Sequence, residues 1–278
     1  MRAALRFRLL GSGSGGNATL VEAGGTRLLL DAGLGPRELA ERLKDAGVDP
    51  ASLDAILLSH EHGDHAKGAP SFSRKWGVPL YGTRGTYAAA GLGACEVAGY
   101  EVIVAGTPLR IGSLSVEPIA IPHDAAEPVA FTLSFRGAVF GHATDLGHIS
   151  RGLCQAFRPC QAVLVESNYE PHMLRDGPYP WSLKERILGP RGHLANADVG
   201  RFIATELGGD CARLVLAHLS QQNNHPELVR MTAETALARC GRPDVEITVS
   251  GADGTGWIEL PALEPEPVTP AGRQLRLF

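Results

Sequence analysis

Three histidines and an aspartate fall within six residues, His60-Glu61-His62-Gly63-Asp64-His65, directly behind the apolar run Ala55-Ile56-Leu57-Leu58. That run, within Asp54 to Ser59, reads as a short strand buried on both faces. Burying both faces requires a further layer on each side, which puts the polar hexapeptide at the strand's end. Four such side chains cannot share one strand face, because strand residues alternate; a loop can turn all four inward. Imidazole suits zinc, manganese or iron, and a carboxylate hardens the set. The alternative is a solvated polar loop, which leaves the coincidence of four ligand-type side chains without a cause.

The rest of the chain supplies the layers. Leu5 to Leu10, Ala18 to Glu22 and Thr26 to Leu30 read as strands, the last two flanking the hairpin signal Gly24-Gly25. A helix is predicted from Pro36, with Leu39 and Leu43 one turn apart and Gly47 as its stop. Further strands are predicted at Ser115 to Ile121, Val129 to Phe135, Ala138 to Gly141 (after the turn Arg136-Gly137), Ala162 to Glu166, Leu214 to Ala217 and Val245 to Val249. Helices at Asn196 to Leu207 and Pro226 to Arg239 alternate with the last of these. Two strand-rich layers with helices outside give one compact α/β sandwich over residues 1–260. The chain is 44% hydrophobic, enough for such a core and incompatible with wholesale disorder. Beyond Leu260, Pro261, Pro265, Pro267 and Pro270 with Glu264 and Glu266 read as an extended, solvated tail over 261–278.

No run of about 18 apolar residues is present, so no transmembrane helix is expected. Arg2, Arg6 and Arg8 break the first apolar stretch, unlike a signal peptide. A cytoplasmic chain is expected, its five scattered cysteines reduced.

Six residues hold too few groups for two metals. Three further candidates each stand where an apolar strand ends: His123 after Ile119 to Pro122, Asp145 after Val139 to Thr144, and His218 after Leu214 to Ala217. Ligands at strand ends on one rim form a rigidly held site, although each alone also reads as an ordinary polar strand end.

On these residues the chain resembles the metallo-β-lactamase fold superfamily, whose signature H-x-H-x-D-H is filled by His60, His62, Asp64 and His65. The resemblance extends to Gly11-Ser12-Gly13-Ser14-Gly15-Gly16-Asn17 and Leu30-Asp31-Ala32-Gly33. It implies a four-layer αββα sandwich with two divalent ions, zinc or manganese, between the sheets. It also implies that His60, His62 and His123 hold one ion, that Asp64, His65 and His218 hold the other, and that Asp145 bridges them. Asp31 would orient a ligand imidazole, and His142 would support the site from behind or simply be a buried, hydrogen-bonded histidine.

Two divalent ions against Asp64, Asp145 and a hydroxide leave about one positive charge, which attracts an anion. Such ions lower a water's pKa from about 15.7 to about 7, and a pair roughly 3.5–4 Å apart suits attack on a phosphodiester. Asp64 is placed to take the water's proton. The fold alone does not choose the substrate. Gly177-Pro178-Tyr179-Pro180-Trp181-Ser182, followed by Lys184 and Arg186, offers an aromatic for bases and cations for phosphates; a core tryptophan beneath a loop is the alternative for Trp181. Glu166 ends a strand, and His193 lies in Gly192-His193-Leu194. That pairing resembles the RNase Z arrangement, in which a Glu–His pair protonates the leaving oxygen, a role a poor alkoxide leaving group needs. Together these segments resemble the YycJ/WalJ branch of the superfamily. The resemblance implies a phosphodiesterase and a DNA exonuclease; the competing expectation is a small-molecule hydrolase acting on a cyclic phosphodiester, lactone or thioester. The formal net charge of −4 argues against a strongly basic nucleic-acid binder; metals would supply the cationic charge locally. The last residues, Gln274, Leu275, Arg276, Leu277 and Phe278, resemble a bacterial sliding-clamp-binding peptide. That resemblance implies weak recruitment, of about micromolar affinity or weaker, unless the tail folds back on its own domain.

Overall fold

The computed structural model describes residues 5–263. Strands β1 (Leu5–Gly11), β2 (Ala18–Ala23), β3 (Thr26–Leu30), β4 (Ala55–Leu57), β5 (Leu80–Gly82) and β6 (Tyr100–Val102) form one sheet. Strands β7 (Leu109–Ile111), β8 (Leu114–Ala120), β9 (Val129–Phe135), β10 (Ala138–Ala143), β11 (Ala162–Glu166), β12 (Arg213–Ala217) and β13 (Glu246–Val249) form the second. The chain then returns to the first sheet, where β14 (Ile258–Leu260) pairs antiparallel with β1 in the register Leu5↔Leu260.

Side-chain alternation assigns the layers. Leu5, Phe7 and Leu9 of β1, Leu28 and Leu30 of β3, Phe140 of β10, and Val215 and Ala217 of β12 meet between the sheets. Phe7 stacks on Phe140 with ring centroids 3.9 Å apart. The opposite face of the first sheet, including Leu29, packs on α1 (Pro36–Asp45), on Phe72 of α3 (Ala69–Trp76), and beside the single turn α2 (Gly63–Ala66). Leu214 and Leu216 of β12 turn the other way. They join a core shared with α5 (Arg151–Phe157), α8 (Asn196–Thr205) and α9 (Pro226–Arg239). The order of layers is therefore αββα. Helices α4 (Arg84–Ala89), α6 (Pro171–Asp176) and α7 (Trp181–Leu188) complete the set among the described residues.

The predicted strand Asp54 to Ser59 is regular only over Ala55–Leu57, and the helix predicted to Leu207 ends at Thr205. The hexapeptide is not wholly a loop. His62 directly precedes α2, and Asp64 and His65 lie on its helical turn, which converges side chains as well as a loop does. No described helix is long and apolar enough to cross a membrane. The clamp-like peptide at Gln274, Leu275, Leu277 and Phe278 lies outside the described residues.

Candidate metal centre

Strands β3 to β6 run parallel, as do β10 to β13. Polar residues follow directly on several of these strands: Asp31 on β3, Asp145 close behind β10, and His218 on β12, while Glu166 is the last residue of β11. Asp31, Asp145 and His218 all take left-handed backbone conformations, with φ of 62°, 59° and 53°. Each such residue costs on the order of 1–3 kcal/mol, and the surrounding bonds hold it there. His218 N donates to Ser12 Oγ, and Asp145 N donates to Glu166 Oε2.

Two groups of ligand atoms result. His60, His62 and His123 converge, with His123 Nε2 3.2 Å from His62 Nδ1. His123 Nδ1 faces the Gly192 carbonyl at 3.2 Å, which makes Nδ1 the donor and leaves Nε2 with a lone pair. Asp64, His65, Asp145 and His218 form the second group. Asp31 Oδ2 accepts from His65 Nδ1 at 2.7 Å while Oδ1 accepts from Ser59 N, so Asp31 orients that ring. Asp145 reaches towards both groups, with Oδ2 2.8 Å from His65 Nε2 and Oδ1 3.9 Å from His123 Nε2.

These groups have the chemistry of a site for cations. His60 Nε2 is buried without a hydrogen-bond partner, and buried polar groups left so are costly. Burial would lower the His218 imidazole, but Asp145 and Asp64 outweigh it and push its pKa up to about 10. The cavity therefore favours positive charge. A histidine-rich set with shared carboxylates suits divalent ions of the zinc or manganese kind.

A third cluster, Asp145, Glu166, His193 and His218, is built differently. Glu166 is fully buried and accepts from Asp145 N (3.0 Å), Leu146 N (3.3 Å) and Leu194 N (2.7 Å). Its Oε2 also meets His193 Nδ1 at 3.1 Å and His218 Nδ1 at 3.2 Å. That many partners leave the carboxylate little free for a metal. Burial alone would raise its pKa; His193 and His218 hold it at about 2. Burial likewise would lower His193, but Glu166 raises it above its ordinary value. His193 stands at the pocket wall.

Close backbone approach stitches the site together. Asn17 N donates to Asp64 O, Gly33 N to Asn17 O, and Ala32 N to His65 O. A Cβ on Gly33 would stand 1.6 Å from the Asp64 carbonyl oxygen, so only glycine fits. Gly33→Ala is expected to cost about 1–3 kcal/mol of stability and to lower metal content by displacing α2. Thermal melts and metal analysis on the purified variant check this; a variant that binds metal normally would contradict it.

The ligand groups open into a pocket of about 370 Å³. Arg186 lines it and is ion-paired with Asp124. Three of the expected site residues have other surroundings than the sequence suggested. Lys184 is buried, and its ammonium donates to the carbonyls of Arg175 (2.6 Å) and Gly177 (2.7 Å). It closes the C-terminal end of α6, where a cation is favoured, and does not reach the pocket. His142 is buried, faces Thr19 Oγ1 at 3.3 Å and hydrogen-bonds no candidate ligand residue. Trp181 is 61% exposed, with its indole N–H on Glu185, and does not line the pocket. Tyr179, two residues earlier, supplies the aromatic wall instead. Sequence reasoning also left Ser59, Asp124 and Asn168 without roles. Asn168 Nδ2 donates to His218 O at 2.9 Å; no local pattern marks such a contact, although an asparagine just after a strand that ends in glutamate was a usable hint.

A family profile described as the beta-lactamase superfamily domain matches residues 26–219. The exodeoxyribonuclease WalJ of Streptococcus pneumoniae is 33% identical over 238 residues, covering 84% of this chain and 88% of the relative. The exodeoxyribonuclease YycJ of Bacillus anthracis is 34% identical over 239 residues, covering 85% and 90%. Among solved structures, the metallo-β-lactamase fold protein YhfI of Bacillus subtilis superposes with a TM-score of 0.71 at 17% identity, covering 92% of this chain and 99% of YhfI. The short form of human tRNase Z superposes at 0.62 and 16% identity, covering 92% and 99%.

Proposed function

This chain belongs to the beta-lactamase superfamily and is a metal-dependent hydrolase of the metallo-β-lactamase fold, and from that premise we propose that it cleaves phosphodiester bonds of nucleic acid, as a DNA exonuclease. The observation that carries the reading is the Glu166–His193 pair set beside the ligand groups in one pocket. Hydrolysis of a phosphodiester expels a poor alkoxide, and a held proton donor answers that need. The names of the two bacterial relatives, aligned over most of their length, favour DNA.

His60, His62 and His123 would hold one divalent ion, Asp64, His65 and His218 a second, and Asp145 would touch both. Bound there, the ions would acidify a water at neutral pH and offer positive charge to the phosphate. The remaining roles fall to side chains. Burial would raise the Asp64 carboxyl, but His218 and His65 outweigh it and hold it below the usual carboxylate range. Asp64 is thus an ionised acceptor on the pocket wall, positioned to take the water's proton. Asp31 fixes His65. His193 gives its proton to the leaving oxygen, and Arg186, drawn from Asp124, grips a phosphate. Tyr179 presents a ring to a base; Trp181 could meet the strand only outside the pocket.

The test offers end-labelled single- and double-stranded DNA and RNA, with manganese or zinc in turn, to the wild type and to His62→Ala. Metal-dependent shortening of DNA, lost in the variant, is expected. Turnover of small cyclic phosphodiesters, lactones or thioesters with no cleavage of any polymer would replace this reading with the small-molecule one.

Residues 1–260 form the hydrolase domain in this proposal, and residues 261–278 a recruiting tail. Deleting residues 274–278 should abolish binding to a bacterial sliding clamp while turnover on free oligonucleotides stays unchanged. Unchanged clamp affinity would remove the recruiting role.

A further inference from the structure

Outside the metal pocket, the most distinctive feature is an open groove of about 470 Å³ between α5 and α8. Arg151, Arg158 and Arg201 line it together with His148; Asp198 and Glu206 also border it. Asp198 is taken up by Arg201 at 2.5 Å. Neither Arg151 nor Arg158 has a carboxylate within ion-pair distance among the described residues, and both are exposed. With Asp198 taken up by Arg201 and Glu206 on the border, the groove still keeps a small net positive charge on a chain of net charge −4, and its two unpaired cations are guanidinium groups, whose planar fork matches phosphate oxygens. Arg151 is the first residue of α5. A cation there opposes the helix dipole, so the helix itself gives no reason for it.

The groove adjoins the metal pocket. His148 stands three residues beyond Asp145, and three residues of chain span at most about 11 Å. His148 Nδ1 and the Pro190 carbonyl lie 3.1 Å apart, which ties this loop to the segment that leads into His193. Gly147 N donates to Pro122 O, which fastens the same loop beside His123. One nucleic-acid strand carries a phosphate every ~3.4 Å along a duplex axis. A strand with one phosphate at the metal centre would reach the His148 edge of this groove within about three phosphates, and Arg158, at the far end of α5, only several phosphates further on.

We propose that the Arg151–Arg158–Arg201 groove is a second binding site that holds the sugar-phosphate backbone of the substrate strand beyond the scissile bond. The proposal rests on the nuclease reading and adds the place where a long strand is gripped. It makes the enzyme's preference for polymer over short substrate a property of α5 and α8 and not of the metal pocket.

The test uses the full chain with metal supplied. Wild type, Arg151→Glu/Arg158→Glu and Arg151→Ala/Arg158→Ala are compared on a long single-stranded oligonucleotide and on a dinucleotide, across a salt series. Both arginines are exposed, so both variants should melt like the wild type; the alanine pair reads the loss of contacts without added repulsion. For the long strand, KM should rise about tenfold or more in the charge-reversed variant. The slope of log affinity against log salt should become shallower by about 1.4 in both variants, the value for two lost phosphate contacts on a single strand. Dinucleotide turnover should not change. An unaltered KM and salt slope on the long strand, or an equal loss on both substrates, overturns the groove assignment while leaving the nuclease reading intact. A wild type that cleaves the dinucleotide but neither binds nor cuts the long strand overturns both.

Discussion

Asp145→Ala should lose metal and turnover together, with metal affinity falling roughly 10²–10⁴-fold. The side chain is buried beside His65, His218, His193 and His123, at 2.8, 3.6, 3.6 and 3.9 Å. Burial would raise its carboxyl, yet His218 and His65 hold it well below the ordinary range. Among the described residues it is the one carboxylate that reaches towards both ligand groups. Removing one partner of a buried ionic set leaves the others uncompensated, at about 3–5 kcal/mol, which is where the affinity estimate comes from. Asp145→Asn is the sharper test. It keeps the shape but not the charge, so it too should lose metal if charge is what the four imidazoles need. Metal content after dialysis and cleavage rates on labelled DNA provide the measurements. Full metal occupancy in either variant would show that Asp145 is a structural strand-end residue and that the ligand groups hold their ions without it.

The layers and the ligand rim were legible because both write themselves locally. Runs such as Leu28-Leu29-Leu30 and Leu214-Val215-Leu216-Ala217 are apolar on both faces, and the residue after each is polar. The left-handed turns of Asp31 and His218 that aim these residues inward carry no such mark. Short pieces were not legible. Strands β5, β6, β7 and β14 have three residues each, too few for a period to show, and β14 finds β1 only across the whole length of the domain. Charge was misleading at Lys184, because an ammonium that finds two helix-end carbonyls no longer belongs to the surface. Glu166 was legible as the partner of His193. Its second contact, to His218, spans 52 residues and shows only in the folded chain.

That second contact separates the outcomes for His193 and Glu166. His193→Ala should cut turnover on DNA by about 10²–10⁴-fold, the usual contribution of a general acid, with metal content unchanged. No protein group bonds His193 Nε2 among the described residues, while Nδ1 is held by Glu166, so the free nitrogen is the one that can serve a leaving group. The loss should shrink towards nothing with a nitrophenyl phosphodiester, whose leaving group departs without a proton. Glu166→Gln should behave differently. A glutamine offers one carbonyl oxygen where the carboxylate now meets three backbone amides and two imidazoles. Its amide also points donors at donors. The His218 ring loses its support, and loss of such support typically lowers metal affinity about 10–100-fold. Glu166→Gln should therefore lose metal as well as rate, and the nitrophenyl substrate should not rescue it. Metal loss in His193→Ala would identify that histidine as a ligand; a full metal complement in Glu166→Gln would confine Glu166 to His193 alone.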